Sequence, residues 1–237
     1  YTRYKANRTE APAALTEREQ EADQIFWESY DTFCNFIKDK TNCTVLQHKQ
    51  LEADDLIAGW IQQHTQDQHV IISSDSDFAQ LIAPNVRQYN GISNTLTTID
   101  GYFTDKGEPV LDKKTGQPKK APDPEWLLFE KCMRGDPTDN VFSAFPKVRK
   151  NKLQEAFEDR KSQGFVWNNI MLSKWVDHEG VEHRVKEDYD RNRELIDLSR
   201  QPDHIKEIIS STIKSATSTP KNSTQVGVYL MKFCHLF

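Results

Sequence analysis

Several features that mark common protein classes are missing from this sequence. No apolar run approaches the roughly 18–20 residues that cross a membrane, and no secretory signal peptide is visible. The four cysteines form neither a CxxC pair nor the spacing of zinc ligands, so we expect reduced thiols in a cytosolic compartment. Positive charge is not in excess, because a net charge of −5 argues against a nucleic-acid coat protein or a polybasic membrane binder.

The chain does contain enough material for at least one large domain. It has 237 residues, of which 36% are hydrophobic and 28% are charged, so a core can form beneath a polar surface. The first residue is Tyr1 and not Met, and the opening sequence is densely polar. We therefore expect a fragment or a processed piece of a longer protein.

The first half of the chain alternates between helix and strand patterns. Thr16 and Glu19 form a T-x-x-E capping box at the start of a predicted helix over residues 16–40. Strands are predicted at 43–48, 69–73 and 86–90, and helices are predicted at 51–66 and 78–82. This alternation predicts an α/β fold with a parallel, doubly wound sheet.

The second half is predicted to be mostly helical. Residues 91–124 are rich in Lys, Gly and Pro, which predicts a hairpin or an exposed loop. A further small hairpin is predicted around Glu179 and Gly180. The predicted helices cover residues 123–134, 147–160, 165–174, 186–199 and 202–214.

Three acidic clusters are the candidate site, and their members are Glu52, Asp54 and Asp55, then Asp75 and Asp77, and finally Asp136 and Asp139. Each cluster has a purely structural explanation. Acids stabilise the first turn of a helix, an aspartate can cap the helix that follows it, and Gly-Asp-Pro suits a turn. In an open parallel sheet, however, the loops after the strands meet at one edge, and the first two clusters each follow a predicted strand.

So many carboxylates at one edge would repel each other unless cations lie among them. All-oxygen ligands without nearby His or Cys favour Mg²⁺ or Mn²⁺ over zinc. Two such ions about 3.5–4 Å apart activate a water and stabilise a leaving oxygen in phosphodiester cleavage. The pattern therefore predicts a two-metal phosphoryl hydrolase site.

Basic residues occur in three groups. The first group is Lys5 and Arg8 with the neighbouring Tyr4, which could bind a phosphate and stack on an unpaired base. The second group lies at a predicted helix start, where backbone amides also attract phosphate, and contains Lys147, Arg149, Lys150 and Lys152. Both groups are candidate DNA contacts. The third group is predicted to be a solvated loop tip: Lys113, Lys114, Lys119 and Lys120.

Four motifs carry a resemblance to a known family. YKANR, LEADDLIA, IISSDSDFAQL and RGDPTDN stand in the order seen in the 5′-nuclease (flap endonuclease) superfamily. The chain most resembles its phage members, the RNase H type of T-even bacteriophages, which are 5′→3′ exonucleases and flap endonucleases that remove RNA primers. The resemblance covers nearly the whole chain and implies a PIN/5′-nuclease-like sheet.

The resemblance implies two Mg²⁺ ions, which Mn²⁺ can replace, and a role for each acid. Glu52 and Asp54 would serve the first metal, with Asp55 beside them. Asp75 would lie between the two ions. The second ion would be held by Asp77 and Asp139, with Asp136 assisting.

The resemblance also implies how DNA is held. Lys5 and Arg8 match the basic pair of a helical arch near the scissile phosphate, and Tyr4 would stack on the displaced strand. Lys147, Arg149 and Lys150 would contact duplex DNA.

The implied organisation is an α/β nuclease core over residues 1–122, in which 1–15 form the arch and 100–122 a loop or hairpin. A helical DNA-binding region over residues 123–237 would complete the metal site. Partners would be DNA with a 5′ flap, nick or gap, an RNA–DNA hybrid, and a replication single-strand-binding protein or clamp, with no membrane. The expected location is the cytoplasm of an infected bacterial host cell.

Two departures from the family pattern stand out. Family members begin with two strand-end aspartates before the arch, and these are absent from this chain. We therefore expect the full-length protein to cleave DNA and these 237 residues alone to be at best feebly active. The segment VFSAFPKVRKNK contains no glycine, which argues against the monovalent ion that cellular members bind there.

Three other functions stay open on the sequence alone. The chain could be a catalytically incomplete DNA-binding fragment, because two ligands are missing. A toxin-like RNA-cleaving nuclease would share the acidic sheet edge but has no arch. A Ca²⁺-binding module is a further alternative, although the spacing fits no EF-hand loop.

Overall fold

A computed structural model describes Lys5 and residues 16–217. Within these residues the chain forms two compact units. The first contains Lys5 and Ile61–Gln201, and the second contains residues 16–60 and 202–217. The predicted boundary between residues 122 and 123 falls inside the first unit, and the predicted arch at 1–15 lies outside the described residues except for Lys5.

Seven α-helices and six strands occur in the described residues. The helices are α1 Glu17–Lys40, α2 Ala53–Gln63, α3 Pro124–Arg134, α4 Lys150–Asp159, α5 Phe165–Met171, α6 Val185–Ile196 and α7 Asp203–Thr217. The strands are β1 His69–Ile72, β2 Val86–Asn90, β3 Thr95–Thr98, β4 Gly101–Thr104, β5 Lys174–Val176 and β6 Glu182–Arg184. None of the described helices is both long and apolar enough to span a membrane.

The main sheet belongs to the first unit and has the order β1-β2-β3-β4. β1 and β2 pair in parallel, with Val70 opposite Arg87, whereas β2, β3 and β4 pair antiparallel. The predicted α/β class with a mostly helical C-terminal part is confirmed. The sheet is mixed because the hairpin predicted within residues 91–124 adds β3 and β4 to the parallel pair.

The strand predicted at residues 43–48 is wrong. Those residues form neither helix nor strand, and most of them are exposed or half-buried. An extended segment becomes a strand only when a neighbour pairs with its backbone. In the described part of the chain, the amide of Cys43 instead donates to the side chain of Thr41.

The other predicted elements form. Thr16 and Glu19 make the predicted capping box of α1, and β5 and β6 make the small hairpin. The five predicted C-terminal helices all exist within three residues of their predicted ends. The short helix predicted at 78–82 is a 3₁₀ helix over Ser76–Leu81.

Aromatic side chains build the core of the first unit. Phe129 of α3 lies between 5.4 and 6.0 Å, centroid to centroid, from the rings of Trp126, Phe157, Trp167 and Tyr189. These residues come from α3, α4, α5 and α6. Helix α3, which carries acidic loop residues at its C-terminal end, is therefore fixed by three neighbouring helices.

In the second unit, α2 packs closely against α7. A Cβ atom added to Gly59 would lie 2.3 Å from Cγ2 of Ile209, so this approach depends on the absence of a side chain at Gly59. Ile209, Leu56 and Ala58 are buried.

Candidate active site

The two aspartates that follow β1 are fixed by local hydrogen bonds. The amide of Ser73 donates to the carbonyl of Tyr89 (3.0 Å), so pairing with β2 continues past the end of β1. Oγ of Ser73 accepts from the amide of Asp75 (3.1 Å), and Oδ1 of Asp75 accepts from the amide of Asp77 (2.9 Å). Asp75 thereby caps the 3₁₀ helix, and both carboxylates lie at the C-terminal end of β1.

Gln88 of β2 is hydrogen-bonded to the backbone of this acidic turn. Its Nε2 donates to the carbonyls of Ser73 (3.0 Å) and Asp75 (2.6 Å), and its side chain is buried. These bonds satisfy two carbonyls of a turn that continues past the strand end. Sequence reasoning missed Gln88, although an amide at an inward position of a strand next to an acidic turn was the available signal.

Asp136 and Asp139 are presented by a tight loop after α3. Gly135 ends the helix with φ of 75°, and Asp136 then pairs with Val141 through two backbone hydrogen bonds of 2.8 Å. A 3₁₀ turn, Pro137–Asp139, lies between them, and Asp136 caps it by accepting from the amide of Thr138. The loop is therefore closed at its base, which fixes the backbone of both aspartates.

Asn192 of α6 braces the same loop. Its buried Nδ2 donates to the carbonyls of Cys132 (2.8 Å) and Phe142 (2.7 Å), which lie before and after the loop. The side chain is fully buried. Nothing in the sequence pattern around Asn192 pointed to this role.

Lys131 connects the two acidic turns of the first unit. Its Nζ lies 2.8 Å from Oδ2 of Asp136 and also forms a short hydrogen bond with Oδ1 of Asp77. Burial lowers the pKa of Lys131, but the hydrogen bonds to Asp136 and Asp77 outweigh that effect and raise it. Burial raises the pKa of Asp136, but the hydrogen bond and charge of Lys131, together with hydrogen bonds from the backbone of Thr138 and Asp139, outweigh that effect and lower it. Lys131 was missed by sequence reasoning, and a cation in the last turn of the helix before the acidic loop was the only signal.

Lys5 lies at the opposite side of the acidic loop. Its amide donates to the carbonyl of Asp139 (2.9 Å), and its Nζ is 3.6 Å from Oδ2 of the same residue. The other two residues predicted to contact DNA near the arch, Tyr4 and Arg8, lie outside the described residues.

The first unit therefore brings four of the predicted ligands into one connected cluster. The cluster runs from Asp75 through Asp77, Lys131 and Asp136 to Asp139, and Lys5 closes its far end. An all-oxygen donor set of four carboxylates fits Mg²⁺ or Mn²⁺. In residues 16–217 and Lys5, no three His, Cys, Asp or Glu side chains are arranged so that they would hold a metal ion together as they stand.

Glu52, Asp54 and Asp55 belong to the second unit and surround the start of α2. Asp54 and Asp55 lie in the first turn of α2, and Oδ2 of Asp55 accepts from the amide of Glu52 (3.1 Å). These positions stabilise the helix start. The assignment of all three as metal ligands stays a prediction.

The second predicted basic group surrounds the start of α4. Lys147 has a left-handed backbone with φ of 61°, and Arg149 precedes the helix without a side-chain cap. Lys150 Nζ lies 3.4 Å from Oε2 of Glu130 and 5.8 Å from the ring centre of Trp126. The amides at this helix start are not capped by a side chain, which leaves them available to an anion.

The chain is similar in sequence to an exonuclease domain family and to a DNA polymerase. Residues 1–108 match the family described as the 5′-3′ exonuclease N-terminal resolvase-like domain. Over 146 residues the chain is 30% identical to DNA polymerase I of Rhizobium leguminosarum. That match covers 60% of this chain and 12% of the polymerase, so the chain spans about an eighth of its relative.

The chain is also similar in fold to a solved phage nuclease. The 5′-exonuclease of bacteriophage T5, determined with bound zinc, superposes with a TM-score of 0.60 at 19% identity, over 91% of this chain and 78% of that one. A variant of the T5 flap endonuclease, in a pseudo-enzyme-product complex with DNA and metal ions, gives 0.58 at 18% identity, over 92% and 78%. At this identity the superposition shows a shared fold. Together with the match of residues 1–108 to the 5′-3′ exonuclease family, this shared fold supports a member of the 5′-nuclease superfamily.

Proposed function

We propose that this protein is a Mg²⁺-dependent, structure-specific 5′→3′ exonuclease and flap endonuclease. The observation that carries the proposal is the connected cluster of Asp75, Asp77, Asp136 and Asp139, which Lys131 and Lys5 contact. Carboxylates held together in this way are stable when divalent cations lie among them. Phosphodiester hydrolysis is the reaction that such a site supports best.

Two Mg²⁺ ions, replaceable by Mn²⁺, would supply an activated water and stabilise the leaving oxygen. Asp75 would serve both ions, and Asp77 and Asp139 would hold the second with help from Asp136. Glu52 and Asp54 would serve the first ion, with Asp55 beside them. An ion bound by Asp77 and Asp136 would compete with Lys131 for the same carboxylates.

The basic residues would hold the nucleic acid without reading its sequence. Lys5, which lies against Asp139, would contact the scissile phosphate together with Arg8, and Tyr4 would stack on the displaced strand. Lys147, Arg149 and Lys150 would bind the duplex backbone at the start of α4. Phosphate contacts carry no sequence information, so strand shape would select the substrate.

Within the superfamily, we assign the protein to the phage RNase H type. On this proposal the protein removes RNA primers and 5′ flaps during replication in an infected bacterial cell, with a single-strand-binding protein or clamp as partner. The four ordered sequence motifs support it, as does the fold shared with a bacteriophage T5 nuclease.

A cleavage experiment tests the proposal. The full-length gene product is incubated with a duplex that carries a 5′ flap of either DNA or RNA, in Mg²⁺ and in EDTA. We expect cutting near the flap junction in Mg²⁺ and none in EDTA, with both flaps as substrates. No cutting in either Mg²⁺ or Mn²⁺ would contradict the proposal.

One observation favours a second candidate, a DNA-binding protein without catalysis. Lys131 already contacts Asp77 and Asp136, so those carboxylates have a cationic partner of the protein's own. Such a protein would bind the flapped duplex with equal affinity in Mg²⁺ and EDTA and would leave it intact.

The role of Gln88 provides a further prediction. Replacing Gln88 with Leu removes the donor to the carbonyls of Ser73 and Asp75, which should cost about 2 kcal/mol of stability. It also frees the turn that carries Asp75, so Mn²⁺ affinity should fall by roughly 10–100-fold, as for other groups that orient a ligand. Calorimetric Mn²⁺ titration measures this, with Gln117→Leu, at an exposed turn, as the matched control. Equal Mn²⁺ affinity of Gln88→Leu and the wild type would refute the role.

A further inference from the structure

The segment that follows β4 extends the main sheet instead of forming a loose loop. The amide of Val110 donates to the carbonyl of Tyr102, and the amide of Lys119 donates to the carbonyl of Val110, both at 2.8 Å. Isolated bridges join Phe103 to Pro109 and Leu111 to Pro118. Residues 105–120 therefore make two further extended passes beside β4, within the first unit.

The strand register shows which edge of the sheet each part of this segment approaches. β1 ends at Ile72 next to the acidic turn, and the parallel strand β2 ends at Asn90 on the same edge. Asn90 pairs with Thr95, and Thr95 pairs with Thr104. The turn after Thr104, which contains Lys106, therefore lies at the same edge as Asp75 and Asp77.

The remaining lysines fall on opposite edges. After the turn that contains Lys106, the chain extends away from the edge with Asp75 and Asp77. It reverses direction at residues 112–117 and then extends back toward that edge. Lys113 and Lys114 lie in the far turn, whereas Lys119 and Lys120 end the returning pass. At about 3.4 Å per residue, the two pairs are separated by roughly 10–14 Å along the strand direction.

These lysines form no ion pair within 4 Å in the described residues, and the charge of Lys119 acts at longer range by helping to lower the pKa of Asp112, after hydrogen bonds from Thr115 and Lys114. Residues 105–120 contain five lysines and three acids, a net charge of +2 in a chain of −5. Within the described residues, none of the five has a carboxylate oxygen within 4 Å, unlike Lys131 and Lys174. Lys119 instead lies over the ring of Tyr102, with Nζ 4.0 Å from its centre, which orients the ammonium group without neutralising it.

We propose that Lys106, Lys119 and Lys120, the edge lysines, form a second contact surface for the phosphate backbone of the DNA duplex on which the acidic site acts. This inference rests on the proposed nuclease function. Lys113 and Lys114 belong to the same segment but face the other edge, and they are excluded from the surface. A row of exposed ammonium groups binds phosphates without distinguishing bases, which suits a nuclease that recognises strand shape.

The sheet geometry also sets the distance of this contact from the cut. Five strand spacings of about 4.8 Å separate β1 from the returning pass, so Lys119 lies roughly 24 Å from the end of β1. Successive phosphates rise about 3.4 Å along a duplex. Lys119 and Lys120 would therefore bind the backbone about seven nucleotides from the scissile phosphate.

The matched lysine pairs allow a direct test. Binding of a 5′-flapped duplex with arms of about 15 base pairs is measured in EDTA at several salt concentrations for Lys119→Gln/Lys120→Gln and Lys113→Gln/Lys114→Gln. The first variant should bind roughly 3- to 10-fold more weakly, and the slope of log affinity against log salt should fall by about 2. The second variant should bind like the wild type, and Lys119→Arg/Lys120→Arg should retain binding.

Several outcomes would overturn the inference. Equal loss in both Gln variants would assign the effect to net charge, and loss in neither, or only in Lys113→Gln/Lys114→Gln, would refute the surface. Weak binding by the Arg variant would point to a disturbed fold. The proposed nuclease function fails separately, because wild-type protein that binds the flapped duplex but never cuts it in Mg²⁺ would contradict that function and leave the surface intact.

Discussion

Replacing Asp75 with Asn is expected to abolish cleavage of a 5′-flapped duplex and to leave DNA binding unchanged. The amide keeps the oxygen that accepts from the amide of Asp77, so the cap of the 3₁₀ helix should survive. What is lost is the negative charge at the position assigned to both metal ions. Because a bound metal stabilises the transition state by several kcal/mol, and about 1.4 kcal/mol is tenfold in rate, the rate should fall by roughly 10³-fold or more.

A matched substitution separates the site from general charge effects. Asp100 lies in the turn between β3 and β4, at the opposite edge of the same sheet. Asp100→Asn removes the same charge and should cleave at the wild-type rate. Single-turnover cleavage and DNA binding are measured in parallel for the wild type and both variants. Undiminished cleavage by Asp75→Asn would refute the site assignment.

Replacing Gly135 with Ala is expected to destabilise the first unit strongly. The new Cβ would lie 2.3 Å from the carbonyl oxygen of Val141 and 2.6 Å from the carbonyl carbon of Phe142. Both are backbone atoms of the loop that presents Asp136, so the loop must open to relieve the contact. With the added strain of a left-handed φ of 75°, we expect about 3 kcal/mol of lost stability, or roughly 6–12 °C in Tm.

Substitutions at two other glycines separate the effect of a positive φ from that of the steric contact. Gly107 has φ of 78° but open space around its Cβ position, and Gly91 has open space and no positive φ. Gly107→Ala should therefore cost about 1–2 kcal/mol and Gly91→Ala less than about 0.5 kcal/mol. Thermal unfolding of the three variants tests the order. If Gly135→Ala were no less stable than Gly107→Ala, the predicted clash with the backbone of Val141 and Phe142 would be refuted.

Local sequence chemistry predicted most of the elements and the four acidic residues of the first unit. The capping box of Thr16 and Glu19, the strand over residues 86–90 and the turn at Asp136 are all specified by nearby residues. Nearby residues could not show whether residues 43–48 form a strand, because a strand needs a pairing partner that is distant in the sequence. The assumption that Glu52 and Asp54 follow a strand end failed for the same reason.

The contacts that connect the acidic turns were also beyond sequence reasoning. Lys131, which contacts Asp136, also contacts Asp77, 54 positions away in the chain. Gln88 of the neighbouring strand donates to the carbonyl of Asp75. Such contacts depend on tertiary packing, which periodicity does not encode. The four lysines predicted as one solvated tip show the same limit, since only the strand register divides Lys113 and Lys114 from Lys119 and Lys120.

The central claim is that the acidic cluster after β1 and α3 binds divalent cations. The most direct measurement is a calorimetric titration of Mn²⁺ into the full-length gene product and its Asp75→Asn and Asp100→Asn variants. We predict two bound ions in the wild type and in Asp100→Asn, and the loss of at least one in Asp75→Asn. An unchanged number of ions and unchanged affinity in Asp75→Asn would contradict the account.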